Sequence, residues 1–227
     1  MSSTPPLVVP SGAPDGRSSR KHGAILEAAA SLFLRKGYLG TSMDEVAALA
    51  IVSKQTVYKH FSDKERLFGE VILNTVNEAG DAVHGAVMAL RDSGDIEADL
   101  RDLARRQLAL VMQPRTLQLR RLVIGEAGRF PELGRAFYEQ GPGRTIAALA
   151  AAFQRLIERG LLLPEDPVLA AAHFNWLIMS IPLNQSMFLG RDAPPPAAEL
   201  QRYAETGVRV FLAGYGKPPA PPRRKPT

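Results

Sequence analysis

The 227-residue chain is predicted to be all-α, a three-helix unit with a helix-turn-helix followed by a larger helical unit, about nine to ten helices in all. Three observations carry this. Apolar residues recur at i, i+3, i+4 and i+7, and no stretch keeps the period-two alternation of a strand. Breaks fall where one helical run ends and another opens, as at Gly37, Gly94, Pro114, Pro131, Gly160 and Pro167. Charge is unevenly placed: residues 17–64 carry net +4 and 217–227 another +4, so the rest of a chain of net charge +5 is mildly acidic. Basic ends on an acidic body are the footprint of a nucleic-acid binder, although a basic run is also an ordinary solvated surface.

Residues 1–18, rich in Pro, Ser and Gly, are expected to be a disordered arm in which Arg17 lies near the first helix, with Arg20 and Lys21 just beyond it. The first helix is expected from Ser19 to Lys36, burying Ile25, Ala28, Ala29, Leu32 and Phe33, with Gly37 as a left-handed cap. Thr41 or Ser42 can cap the second helix, helped by Asp44 or Glu45. Met43, Val46, Ala47 and Ala50 form its apolar face. Ser53 is a second N-cap, opening a helix from Lys54 to about Phe61. Val57 and Phe61 share one face of this helix, while Lys54, Gln55, Tyr58 and Lys59 project elsewhere. A short helix that hides two apolar residues and offers Lys, Gln, Thr, Tyr, Lys and His suits a DNA groove. The expected head core is Ile25, Ala29, Leu32, Phe33, Val46, Ala47, Val57 and Phe61.

Asp63 or Ser62 can cap a fourth, long helix from Lys64 to Leu90, a lever from the head (19–64) into the body (65–213). Helices follow over 96–112, 116–129 and 131–139, then a break at Gly141-Pro142-Gly143. An alanine-rich helix from Arg144 to Arg159, a connector over 161–166, and helices over 167–189 and 197–212 complete the body. Pro194–Pro196 form the last break, and residues 214–227 are expected to be a disordered, basic, Pro-rich tail.

The stretch GYLGTSMDEVAALAIVSKQTVYKHFSDKERLF resembles the N-terminal helix-turn-helix of the TetR family of bacterial transcriptional regulators. The matching features are Gly37-Tyr38, Thr41, the Val52-Ser53 corner, Thr56 to Phe61, and Asp63-Lys64-Glu65. One departure stands out: Ile51 occupies a turn position where the family usually has Gly. A β-branched residue at positive φ is strained, so either the turn takes another path or the strain is accepted. LRRLVIGEAGRFPELGRAFYEQGP and RGLLLPEDPVLAAAHF also resemble the AefR-like C-terminal domain found in this family.

The resemblance implies a helix from Lys54 to Phe61 in the major groove, with Lys54, Gln55 and Thr56 at base edges. Thr41, Ser42, Ser53, Tyr58, Lys59, His60 and Lys64 are the remaining expected DNA contacts, chiefly to phosphate. For Tyr58 and His60, packing against the first helix competes with that role. The resemblance further implies a dimer through the last two long helices, two heads about 34–36 Å apart on a palindromic operator, and repression relieved by a small-molecule effector. Candidate pocket residues are Arg121, Glu126, Phe130, Phe137, Phe174, Trp176 and Met179, with Tyr138, Phe153, His173 and Asn175 as further candidates. Plain core or dimer packing is the competing reading for each, and a body that only dimerises is the alternative function.

Other classes find little support. Cysteine is absent, which excludes disulfides and thiolate sites and fits a reducing cytoplasm. The N-terminus lacks the charged start and apolar core of a secretory signal. Residues 167–190 are uncharged, but His173, Asn175, Asn184 and Gln185 argue against a membrane span. The four histidines show no metal spacing, and no phosphate loop or nucleophile elbow occurs. No cofactor is expected, and an Arg121/Glu126 pair is the single weak candidate for enzymatic acid–base chemistry.

Overall fold

Ten α-helices follow one another in the computed structural model, which describes residues 16–189 and 195–217: α1 (Gly16–Lys36), α2 (Met43–Leu49), α3 (Lys54–His60), α4 (Lys64–Ala89), α5 (Ile96–Val111), α6 (Pro114–Glu126), α7 (Pro131–Tyr138), α8 (Arg144–Glu158), α9 (Pro167–Phe188) and α10 (Ala197–Tyr215). No strand occurs among the described residues; one isolated antiparallel bridge joins Leu162 to Gly216. The fold is all-α. The expected arm over 1–15, Pro194 and the tail over 218–227 lie outside the described residues, as does the side chain of Arg17.

The chain divides into two units, Met1–Val71 and Ile72–Thr227, with the division inside α4 rather than at Lys64. In the first unit all eight expected core residues are buried. Tyr38, Met43, Leu67 and Phe68 join them. Phe68 stands edge-on to Phe33, with ring centroids 4.9 Å apart, and 5.0 Å from Tyr38. The first turn of α4 therefore belongs to the head's core.

Local signals explain most boundaries. Gly37 adopts φ +72° and ends α1. Ser42 is the N-cap of α2 in a complete capping box with Glu45. Asp63 accepts from the Arg66 amide at 2.7 Å at the start of α4. Asp95 and Asp166 cap α5 and α9, and Gly160 at φ +72° follows α8.

Two expectations are corrected. α1 starts at Gly16 and α10 runs to Tyr215, three residues beyond each expected end. Gly141-Pro142-Gly143 is not a break: residues Glu139–Gly143 form a π turn that carries α7 into α8. The wider i→i+5 spacing accommodates Pro142, which has no N–H to give.

In the second unit one apolar core gathers Leu90, Leu103, Leu149, Phe153, Phe174, Val208 and Phe211, among others. α9 packs against α8 and α10, and α10 against α5. The α9–α10 approach is close because Gly207 has no Cβ: one placed there would lie 2.5 Å from Ile178 Cγ2.

Candidate nucleic-acid interface and a cavity in the second unit

The head presents α3 by two caps and one strained turn. Ser53 Oγ accepts from the Thr56 amide at 3.1 Å, and the two hydroxyls lie 2.8 Å apart. Val57 and Phe61 are wholly buried. Lys54, Gln55, Tyr58 and Lys59 project elsewhere and are exposed, a row at positions i, i+1, i+4 and i+5 of one helix. Ile51 sits in the turn at φ +54° and is 92% exposed. The turn therefore keeps the left-handed geometry that suits glycine, and isoleucine bears the strain.

Each expected DNA contact has a defined place. Lys54 Nζ pairs with Asp44 at 2.8 Å, both side chains being exposed; the hydrogen bond to Asp44, followed by its charge, raises the lysine pKa. Asp44 thus holds Lys54 ready at the N-terminal end of α3. Lys59 has no ion-pair partner among the described residues, so its charge is open to a phosphate. His60 is half-buried, 5.6 Å from the His22 ring, and burial, then the neighbouring His22, lowers its pKa. That favours neutral imidazole and the packing reading over a cationic phosphate contact. Tyr58 remains exposed.

Three expected contacts are spent inside the head. Thr41 is buried at 2% exposure, its hydroxyl donating to the Gly37 carbonyl at 2.9 Å. Lys64 Nζ donates to the Thr41 carbonyl at 2.9 Å and lies 4.4 Å over the Tyr38 ring, tying α4 to the α1–α2 turn. Ser42 is exposed, but its hydroxyl and amide serve the capping box. Glu45, bonded by Lys36 and by both Ser42 groups, is lowered to a pKa of about 2.

The second unit carries a half-open cavity of about 80 Å³, several times what one water needs (~10–15 Å³). Phe137, Trp176 and Met179 line it, with Asn175. The other candidates lie elsewhere for identifiable reasons. Phe174 is consumed by the core, edge-on to Phe153 and Phe211. Arg121 donates to the Ser186 carbonyl at 2.6 Å. Glu126 and Phe130 do not line the cavity, because they flank the α6–α7 turn where the Phe130 amide donates to the Glu126 carbonyl. Tyr138 is exposed and His173 is bonded to the Tyr215 hydroxyl at 2.6 Å. Arg120 and Gln107 line the cavity and were not anticipated. Position alone gives no signal for Arg120, because Arg120 and Arg121 are adjacent and only folding decides which turns inward. No cluster able to hold a metal occurs among the described residues, and none of their helices is long and apolar enough to cross a membrane.

Both units resemble parts of known proteins. Residues 25–71 match the model of the bacterial regulatory proteins of the tetR family. Residues 98–217 match the AefR-like transcriptional repressor C-terminal domain. A TetR-family regulator from Mesorhizobium loti MAFF303099 is 46% identical, covering 89% of this chain and 100% of that one, with a TM-score of 0.85. The flavonoid-responsive regulator FrrA is 31% identical over 91% of this chain and 100% of its own, with a TM-score of 0.67. Among curated relatives, the transcriptional activator FasR of Mycolicibacterium smegmatis is 38% identical over 81 residues, which span 36% of this chain and 36% of that one. Such matches cover only about a third of those relatives' length. With a tetR-type head and an AefR-like body both matched, the chain belongs to the TetR family of DNA-binding transcriptional regulators, and not to a family of enzymes.

Proposed function

We propose that the protein is a homodimeric repressor that reads a palindromic operator with two copies of α3 and leaves it when a small molecule fills the cavity of the second unit. The observation that carries the reading is the exposed row Lys54, Gln55, Tyr58 and Lys59 on a helix anchored by the buried Val57 and Phe61. Lys54, Gln55 and Thr56 are the residues for base edges. Lys59, Tyr58 and Ser53 are those for the backbone, while Ser42 serves the capping box. Thr41, His60 and Lys64 act mainly by holding the head in shape.

Dimerisation is supported by α9, which leaves Leu169, Trp176, Leu177, Ile181 and Phe188 exposed beside a buried face. Two copies pairing through α9 and α10 would cover that row. Repression is supported by relatives named for it, among them TetR of Mycobacteroides abscessus, 43% identical over 51 residues; FasR is named an activator. The cavity favours an effector over a body that serves dimerisation alone, as does the name of FrrA. A cytoplasmic location follows from binding the genome.

Titration of duplex DNA from upstream of the gene against a scrambled duplex tests the reading. The expected result is tight binding of the first at two chains per duplex, with Lys54→Ala losing more affinity for it than for the scramble. Equal loss on both would make Lys54 a phosphate contact. Monomeric protein, indifferent to either duplex at low salt, would refute the proposal.

A further inference from the structure

The walls of the cavity are largely apolar, with Val76, Val83, Leu110, Leu119 and Met179 among them. Arg120 stands in this surrounding without an anion. Its Nε is shielded from solvent and has no hydrogen-bond partner. No carboxylate among the described residues pairs with it, and its notable contact is the Phe137 ring, 5.4 Å from Cζ to centroid. Burial alone holds its pKa below the usual guanidinium value. By contrast Arg144 pairs with Asp81 at 2.5 Å, Arg159 donates to the Arg91 and Ser93 carbonyls, and Arg101, whose Nε is also unpartnered, pairs with Glu97. A shielded N–H without an acceptor costs stability, and a carboxylate oxygen brought to it recovers much of that cost. The cavity holds a second orphan, Gln107 Oε1, on a side chain whose Nε2 donates to Asn175 Oδ1 at 2.7 Å.

We propose that the cavity takes an apolar carboxylate, its headgroup on the Arg120 guanidinium and its ring or chain against Val83, Leu110, Leu119 and Met179. The inference rests on the effector reading above and names the chemical class of the effector. A guanidinium offers a planar fork that fits a carboxylate with two parallel hydrogen bonds. Gln107 Oε1 is free to accept from a hydroxyl on the same ligand. A neutral amide of the same shape would leave the guanidinium uncompensated, so charge decides the preference.

The test uses the full chain and matched probes: octanoate with octanamide, and phenylacetate with phenylacetamide. Thermal unfolding and titration calorimetry should show each acid raising Tm with concentration and binding at least about tenfold tighter than its amide. Arg120→Met should unfold at the same or a higher temperature without ligand and lose the preference for the acid. Arg120→Lys, which keeps the charge but not the fork, should fall between. Equal binding of acid and amide, a preference that survives Arg120→Met, or a ligand-free Arg120→Met destabilised by several degrees would overturn the inference. The first two outcomes leave the effector reading standing. If no probe of either charge binds, the effector reading falls as well.

Discussion

The two units hold their functional groups in opposite ways. In the head, polar side chains are organised by partners close in sequence: Ser42 with Glu45, Ser53 with Thr56, and Lys54 with Asp44 ten residues before it. The working face of α3 is exposed, and its buried side is an ordinary small core. In the second unit the polar groups around the cavity come from distant points of the chain. Gln107 meets Asn175 across 68 residues, and Arg120 Nε is left without a hydrogen-bond partner. A surface that must fit a rigid duplex can be built locally and kept satisfied. A cavity that awaits a ligand keeps unpaired groups, and the unit around it bears their cost.

Several substitutions would break or sharpen this contrast. Phe61→Ala should have the largest effect, costing about 3–5 kcal/mol from the head core. DNA binding should vanish in a mobility-shift assay, while carboxylate binding to the second unit persists in calorimetry. Gly207→Ala is its counterpart in the body: the added Cβ meets Ile178 Cγ2 at 2.5 Å, and overpacking should cost about 1–3 kcal/mol. Denaturant unfolding would measure it, and Ile178→Ala in the same chain should recover part of the loss. Ile51→Gly should stabilise the head by about 1 kcal/mol, the net of relieved left-handed strain and the greater chain entropy of glycine. An unchanged unfolding midpoint would mean that the exposed isoleucine bears no strain.

The smallest effect is on pH. His60 has a folded pKa below its ordinary 6.5, so the unfolded chain binds more protons between those two values. Its contribution to head stability is complete above pH 6.5 and declines as pH falls through the folded value. Lys21, Lys59 and His22 act in the same direction on this ring and Glu70 opposes them. Glu45 adds a later loss, from its ordinary value of 4.5 down to about 2. Unfolding followed across pH, with His60→Gln removing the upper step, checks the assignment.

This division also decides how much of the molecule was legible in the sequence. The eight core residues of the head and its caps follow from spacing within one or two turns, and they fold as expected. Ile51 stood out only through the family resemblance, which puts glycine at that turn position, and its φ of +54° decides between a turn on another path and accepted strain. Roles that depend on distant partners were not legible. Lys64 is an expected phosphate contact because it sits near a helix N-terminus, and nothing in the sequence signals that it also donates to the Thr41 carbonyl 23 residues back. Phe174 looked like pocket lining because it is aromatic and central in α9, yet two other rings claim it. The π turn hid behind Gly-Pro-Gly, a pattern that ends most helices.

The central claim is that α3 grips duplex DNA with the exposed row beginning at Lys54. Binding of operator-containing duplex measured across salt concentration, for the wild type and for Lys59→Ala, tests it most directly. The account predicts binding that weakens steeply with salt and a log–log slope about one unit shallower in the variant. Identical slopes and affinities in the two proteins would contradict it.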